Sequence, residues 1–416
     1  MSSQATTSNI AMNQDASLPN PKKWLTIGAI GLLISLVGLI SSPIGAYSYL
    51  VSVLFVSSIA IGMLFLVLIH HIFDAGWSTV VRRQAENFLS VVPYLGFLFI
   101  PLFLMTMKDN GLIWIWMDDT ASLHGHGTVG EDVLYLKKTW WLNETFFWIR
   151  AIICFGSWAF FARALRKHSF SQDSDGKAEH TFACRKLAAG GLVVVALTWS
   201  CAAFDWIMGL EYHWFSTMFG VWFFANAMRA ALAVLVLTCT YLVAKGPLKG
   251  IFNNKHLHDL TTLSFAFCVF WAYISFSQYF LIWNGNIPEE TFWFNYREEG
   301  IYFYIGMFLV FGHFLFPFLF LLQFKLKTAH ASARFICCWI LFMQLFDLYY
   351  NILPSLKDSH GEPYQMFSSP LNFVWFISGI VGVVGILLWA YWTSFNKVKI
   401  IPIRDPRITE SLNHSH

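Results

Sequence analysis

Most of this sequence is apolar, so the few side chains able to do chemistry stand out by position. Residues 61–83, IGMLFLVLIHHIFDAGWSTVVRR, run an apolar segment into His70, His71 and Asp74, and then into Arg82 and Arg83. Continued as a helix, this spacing puts Asp74 four residues after His70 and three after His71, so all three share one side. Histidine titrates near neutral pH, and a neighbouring carboxylate moves it across that range. The cluster therefore has the chemistry of the mouth of a proton path, or else consists of hydrated groups at headgroup depth.

Other ionisable residues interrupt apolar runs. Each costs roughly 2.5–3.5 kcal/mol in mid-span and so needs a partner or a function. Arg229, in FFANAMRAALAVLV, is the deepest. A guanidinium keeps its proton, so Arg229 can hold carboxylates ionised, turn back a free cation, or tie helices together through carbonyls, but it cannot relay protons. His313 sits at the middle of a later run, as a hydrogen-bonded core residue or a ligand. Asp347, in MQLFDLYYNILPS, has Tyr350 three residues on along the same face. Asp205, in CAAFDWIMGLEYHW, and Arg150 lie toward the same side of the membrane, as an ion pair or as part of a transport route. By depth these residues form a ladder: His70, His71 and Asp74 at one end, Arg229 and His313 in the centre, and Asp347, Tyr350 and Asp205 toward the other end. Two half-paths meeting at a fixed charge are what proton translocation needs, although a chance scatter would give the same order.

The elements that must position them are membrane helices. Of 416 residues, 56% are hydrophobic and only 12% charged, with a mean hydropathy of +0.54. A soluble domain carries about 25% charged residues, so this is an all-α, polytopic membrane protein. The aromatic share of 18%, with 42 Phe and 19 Trp, suits lipid-facing surfaces and interfacial belts. Ten stretches can span a bilayer: 24–42, 47–72, 84–106, 144–164, 187–208, 214–243, 258–282, 302–324, 333–352 and 371–393. An even number puts both termini on one side. The loops opposite them carry only Lys108, Lys137, Lys138, Arg297 and Lys357, whereas every other Lys or Arg outside the spans falls on the terminal side. The positive-inside rule then makes both termini cytoplasmic.

This predicts an N-terminal arm over 1–23, a membrane domain over 24–393 and a cytoplasmic tail over 394–416. The arm is polar, with no basic start and no small-residue cleavage site after an apolar core, and reads as disordered and not as a signal peptide. The loop from 108 to 143, and those at 284–301 and 353–370, mix aromatic, acidic and turn residues, making a face suited to an extramembranous subunit. Seven cysteines form no CxxC or ferredoxin spacing, giving no basis for covalent haem or cluster ligation. There is no nucleotide loop and nothing that points to nucleic acid. A faint division into spans two to five and six to nine is not established by spacing alone.

Four stretches together are specific: HHIFDAGWSTVVRRQAENF, TWSCAAFDWIMGLEYHWFSTMFGVWFF, FDLYYNILPS and IPIRDPRITESLNH. In them the chain resembles the ActF subunit of bacterial alternative complex III, within the wider NrfD and polysulfide-reductase C type of membrane subunit, from residue 47 to the tail. The resemblance implies two four-helix bundles plus flanking helices in the bacterial inner membrane. It also implies membership of a complex that oxidises quinol and passes electrons to a cytochrome c or a terminal oxidase. Quinol, haem c and iron-sulfur clusters would then belong to partner subunits, a sister NrfD-like subunit holding the quinol, with no cofactor, metal or catalytic residue on this chain. The ActF-like subunit would carry a proton path, which transferred here points to His70, His71, Asp74, Asp205 and Asp347.

Three other readings are weighed against this. A lone proton-coupled transporter would show matched broken helices in its two halves. Pro93 and Pro101 in span three and Pro317 in span eight do not correspond. A di-haem cytochrome needs histidine pairs at matched depth on facing helices, and the pair on span two lacks such a partner. A passive scaffold within the same complex would use these residues only for packing.

Overall fold

The computed structural model describes residues 19–123, 127–357, 361–365 and 368–414. The arm expected over 1–23 lies outside these as far as residue 18. Its boundary falls slightly earlier than expected, because Asn20 caps the first helix by accepting from the Lys22 amide at 2.9 Å, and Pro21 supplies the preset first turn.

Ten helices are long and apolar enough to cross a membrane: α1 (Pro21–Ser41), α2 (Pro43–Ile72), α3 (Gly76–Lys108), α4 (Glu144–Asp175), α5 (Glu179–Glu211), α6 (Phe219–Lys245), α7 (Asn254–Gly285), α8 (Gly300–Leu322), α9 (His330–Ser355) and α10 (Pro370–Phe395). The described residues form no strand beyond two isolated bridges. Such a chain is a multi-pass membrane protein, as its composition requires. Two boundaries differ in ways that matter to the site. Helix α3 begins well before residue 84, through a 3-10 turn at Gly76–Ser78, and so draws Arg82 and Arg83 into the packed interior where terminal-side loop charges were expected. Helix α4 runs to Asp175, beyond residue 164, and ends on Gly176 in the left-handed conformation.

Helix α2 is the centre of the molecule, with 94% of its most apolar window enclosed. It is apolar all round because it has neighbours all round, packing on α1, α3, α5, α6, α9 and α10. Helices α2 and α3, α3 and α4, α4 and α5, and α5 and α2 are in contact in turn. So are α6 and α7, α7 and α8, α8 and α9, and α9 and α6. The first and last spans pair antiparallel along a seam of glycines. A Cβ on Gly28 would come within 2.7 Å of the Ile386 nitrogen, and one on Gly31 within 2.6 Å of the Gly382 nitrogen. Small residues let the two backbones approach where lipid supplies no hydrophobic drive.

After α10 the tail folds back beneath the bundle. Ser411 Oγ donates to the Trp77 carbonyl at 2.7 Å, Asp405 binds Arg82 at 2.5 Å, Arg407 pairs with Asp74, and His414 Nε2 lies 2.7 Å from Asp259. The start of α1 and the tail therefore share one face of the molecule, here the tail face. On the opposite loop face, residues 109–123 and 127–143 pack down on the helices. Trp114 and Trp116 are buried there, and the Tyr47 hydroxyl donates to the Ile113 carbonyl at 3.0 Å. His124, Gly125 and His126 of this loop lie outside the described residues.

Candidate functional site

Helix α8 is where the sequence breaks helical regularity. Pro317 has no N–H to give to the carbonyl four residues earlier, and the helix widens into a π segment over Leu309–Leu315. The freed carbonyls are taken up from neighbouring helices. Trp339 Nε1 donates to the Gly312 carbonyl at 2.7 Å, and Arg229 Nη2 donates to the His313 carbonyl at 2.7 Å. Arg229 on α6 thus reaches the position that Pro317 leaves unpaired.

Around this contact lies a buried polar centre. Asp347 on α9, 2% exposed, accepts from Trp271 Nε1 at 3.0 Å and from Asn351 Nδ2 at 3.2 Å. His313 Nε2 stands 3.9 Å from the same carboxylate, and its ring meets the Trp271 ring edge-on, with centroids 4.3 Å apart. The Arg229 guanidinium lies 5.3 Å from the Trp271 ring centroid. One tryptophan therefore separates guanidinium from carboxylate, binding the acid through its N–H and the cation through its face. Asn226, fully buried on α6, turns toward Asp347, and Gln344 on α9 donates to Ser58 on α2 at 3.3 Å. Arg229, His313 and Asp347, which the sequence singled out separately, come together here. Tyr350, one turn from Asp347, lines a cavity of about 720 Å³ that reaches the carboxylate. Arg297 braces this wall by donating to the Tyr350 and Asn351 carbonyls at 3.0 and 3.1 Å, and burial pushes its guanidinium down to about 10.

The remaining residues of the expected ladder lie elsewhere. His70 and His71 are buried at the tail face, and His71 Nε2 lies 3.4 Å from Glu86. Glu86 also stands 3.3 Å from Arg82 and 3.2 Å from Arg83, and accepts from Ser169 Oγ at 2.5 Å; Arg83 further pairs with Asp173. Asp74 does not share the face of the two histidines, because α2 stops at Ile72 and Asp74 turns out of it with φ +47°. It pairs instead with Arg185 and Arg407. Partial burial raises its carboxyl, but the hydrogen bonds and charges of those two arginines outweigh this and hold it below the usual carboxylate range.

Asp205 joins neither cluster. It accepts from Arg150 at 2.6 and 2.9 Å and from Trp141 Nε1 at 2.9 Å, making a closed ion pair between α4 and α5. Of the two alternatives open for it, the geometry is that of the structural pair. Between the tail-face cluster and the centre, α2 offers only apolar residues and glycine from Ile59 to Ile69. His70 to Ser58 is about 18 Å along the helix axis at 1.5 Å per residue.

Sequence reasoning missed Trp271, Asn226, Glu86, Asp173 and Asp405. Glu86 had a signal in its i+4 and i+3 spacing from Arg82 and Arg83, hidden by starting the span at residue 84. Trp271 had none, since it is one of 19 tryptophans. No group of three or more His, Cys, Asp or Glu among the described residues is arranged to hold a metal ion. No protein-family model matches the chain, and no curated protein is significantly similar to it.

Proposed function

We propose that this chain is an ActF-like, NrfD-type subunit of a bacterial quinol-oxidising complex of the alternative complex III kind, and that it moves protons, not electrons. The observation that carries the proposal is Asp347, an acid enclosed between helices, hydrogen-bonded to Trp271 and Asn351 and within 3.9 Å of His313. A buried carboxylate held by neutral donors beside an imidazole can take up and release a proton without leaving a bare charge in the membrane. The two closed rings of contact, α2 to α5 and α6 to α9, support the two-bundle architecture of that family. The concentration of Lys and Arg on the tail face supports placing both termini in the cytoplasm of an inner-membrane protein.

On this reading the loop-face arm of the path runs through the cavity, past Tyr350 to Asp347, and the tail-face arm ends at His70, His71 and Glu86. Arg229 fixes a positive charge where the arms approach, which turns back other cations. The apolar stretch of α2 keeps the two sides from being joined without a conformational step. Quinol, haem c and iron-sulfur clusters are assigned to partner subunits, including a sister NrfD-like subunit, with electrons leaving to a cytochrome c or terminal oxidase.

The test is Asp347→Asn in the assembled complex, with Asp347→Glu beside it. The expected result is a fall of at least about tenfold in quinol oxidation together with proton uptake, restored in part by glutamate. If rate and protons per electron are both unchanged in an assembled complex, the chain is a scaffold. If the tagged chain purifies without haem-bearing partners, it is a transporter and the proposal is wrong.

A further inference from the structure

The loop from residue 109 to 143 changes character partway along. As far as Val129 it turns apolar side chains inward, and Ile113, Trp114, Trp116, Met117 and Val129 are all buried. Beyond Asp132 it turns them out. The short helix Val133–Lys138 has no buried residue, and Val133, Leu136 and Trp140 are 62, 53 and 73% exposed. With Lys137 these stand at i, i+3, i+4 and i+7, the spacing of a single helical stripe. Trp140 belongs to it because the Lys138 carbonyl carries the turn on, accepting from the Trp141 and Leu142 amides at 2.8 Å.

The stripe faces outward because the other side of the helix is engaged. Asp132 caps it, accepting from the Leu134 amide at 2.9 Å, and also accepts from the Tyr212 hydroxyl at 2.6 Å. The Tyr135 hydroxyl donates to Asp119 at 2.9 Å, and Lys138 Nζ donates to the Tyr212 carbonyl at 2.6 Å. What stands before the outward side is set by α4. Trp140 comes four residues before Glu144, where that helix begins, and the outer face of α4 then exposes Ile149, Ile152 and Ile153. The stripe thus continues the lipid-facing surface of a span, at the depth where tryptophan gathers, the headgroup layer. Lys137 weighs against a protein partner. The helix, VLYLKK, carries no acid, so docking on this side would enclose an ammonium with nothing on its own helix to balance it. Among headgroups its stem lies along the apolar stripe while its charge reaches water and phosphate.

We propose that Val133–Lys138 and Trp140 form an interfacial helix seated in the headgroup layer of the leaflet at the loop face, with the phospholipid surface as its partner. Leu and Trp on one side and Lys at the edge are the make-up of such helices. Because Asp132 both starts the helix and holds Tyr212, this seat fixes the height of the loop over the end of α5. The inference is independent of the proton path and needs only that the chain spans a membrane.

The experiment puts the photocrosslinker p-benzoylphenylalanine in place of Leu136 or Trp140 in the full chain, in its native membranes. Ile152 on α4 is the lipid-facing reference position, and Thr120, exposed earlier in the same loop, is the water-facing one. After irradiation the tagged chain is captured and its adducts are identified by mass spectrometry. Phospholipid adducts are expected at 136, 140 and 152, none at 120, and no second protein at 136 or 140. A discrete protein adduct at 136 or 140 would overturn the proposal in favour of a docked subunit. Lipid captured at 152 but at neither 136 nor 140 would overturn it in favour of a helix standing in water. A second measurement needs no bulky side chain. Above the background of the unsubstituted protein, Leu136→Cys should react with a charged, water-borne maleimide at least about tenfold more slowly than Thr120→Cys, because the headgroup layer shields it. Equal rates would count against the seat as decisively as a protein adduct.

Discussion

Glu86 shows how much one buried side chain can be asked to hold. Its two oxygens face Arg82, Arg83 and His71 and accept from Ser169, all beneath the tail. Glu86→Gln would leave two enclosed guanidinium groups short of countercharge, and breaking such a buried network costs about 3–5 kcal/mol. Thermal unfolding of the purified protein in detergent should show this as a clear loss of stability. Asp74→Asn, at a partly exposed pair, should cost no more than about 1 kcal/mol in the same assay. Equal effects would mean that the two acids are not distinguished by burial. The contrast also explains what was readable at this scale. An ionisable group in an apolar run announces itself, so His70, His71, Arg229, His313, Asp205 and Asp347 all stand out in the sequence. Whether it meets another such residue depends on where a helix stops, and the left-handed turn at Asp74 left no mark in the spacing.

At the scale of elements, the ten spans were legible because about 20 consecutive apolar residues are required to cross the hydrocarbon and little else in a sequence looks the same. Their ends were less so. Charges inside the fold, such as Arg82 and Arg83, look like loop charges until their partners Glu86, Asp173 and Asp405 are placed beside them. The π segment of α8 was half visible: Pro317 marked a break, but only the Arg229 side chain shows that the break is used to bind a cation. The seam between α1 and α10 makes its own prediction. Gly382→Leu has no room, because the α1 backbone lies against that position. Overpacking of this kind costs about 1–3 kcal/mol. Separation of the first and last helices should appear as faster protease cleavage near residue 20, whereas Ala272→Phe, far from the seam, should leave that rate unchanged.

Across the whole molecule, the tail straps together the loop after α2, the start of α3 and the start of α7. Part of that strap is acid-sensitive in a direction that can be worked out. Asp74 is held below the range of a free carboxylate, so its pairing with Arg407 stabilises the strap at neutral pH. This contribution is lost as the pH falls through the depressed pKa, below about pH 4. Hydrogen exchange of residues 396–414 should stay slow from neutral pH down to about 5 and speed up below 4. Acceleration already near neutrality would mean that carboxylates do not hold the strap. None of this was legible beforehand, since a short polar tail looks the same in sequence whether it is free or folded back. The closure of α1 on α10 has a consequence for how the protein is made. Eight spans are made between these two helices, so the glycine-notched flank of α1 is bathed in lipid until α10 has been inserted. A product stopped before α10 keeps that flank bare.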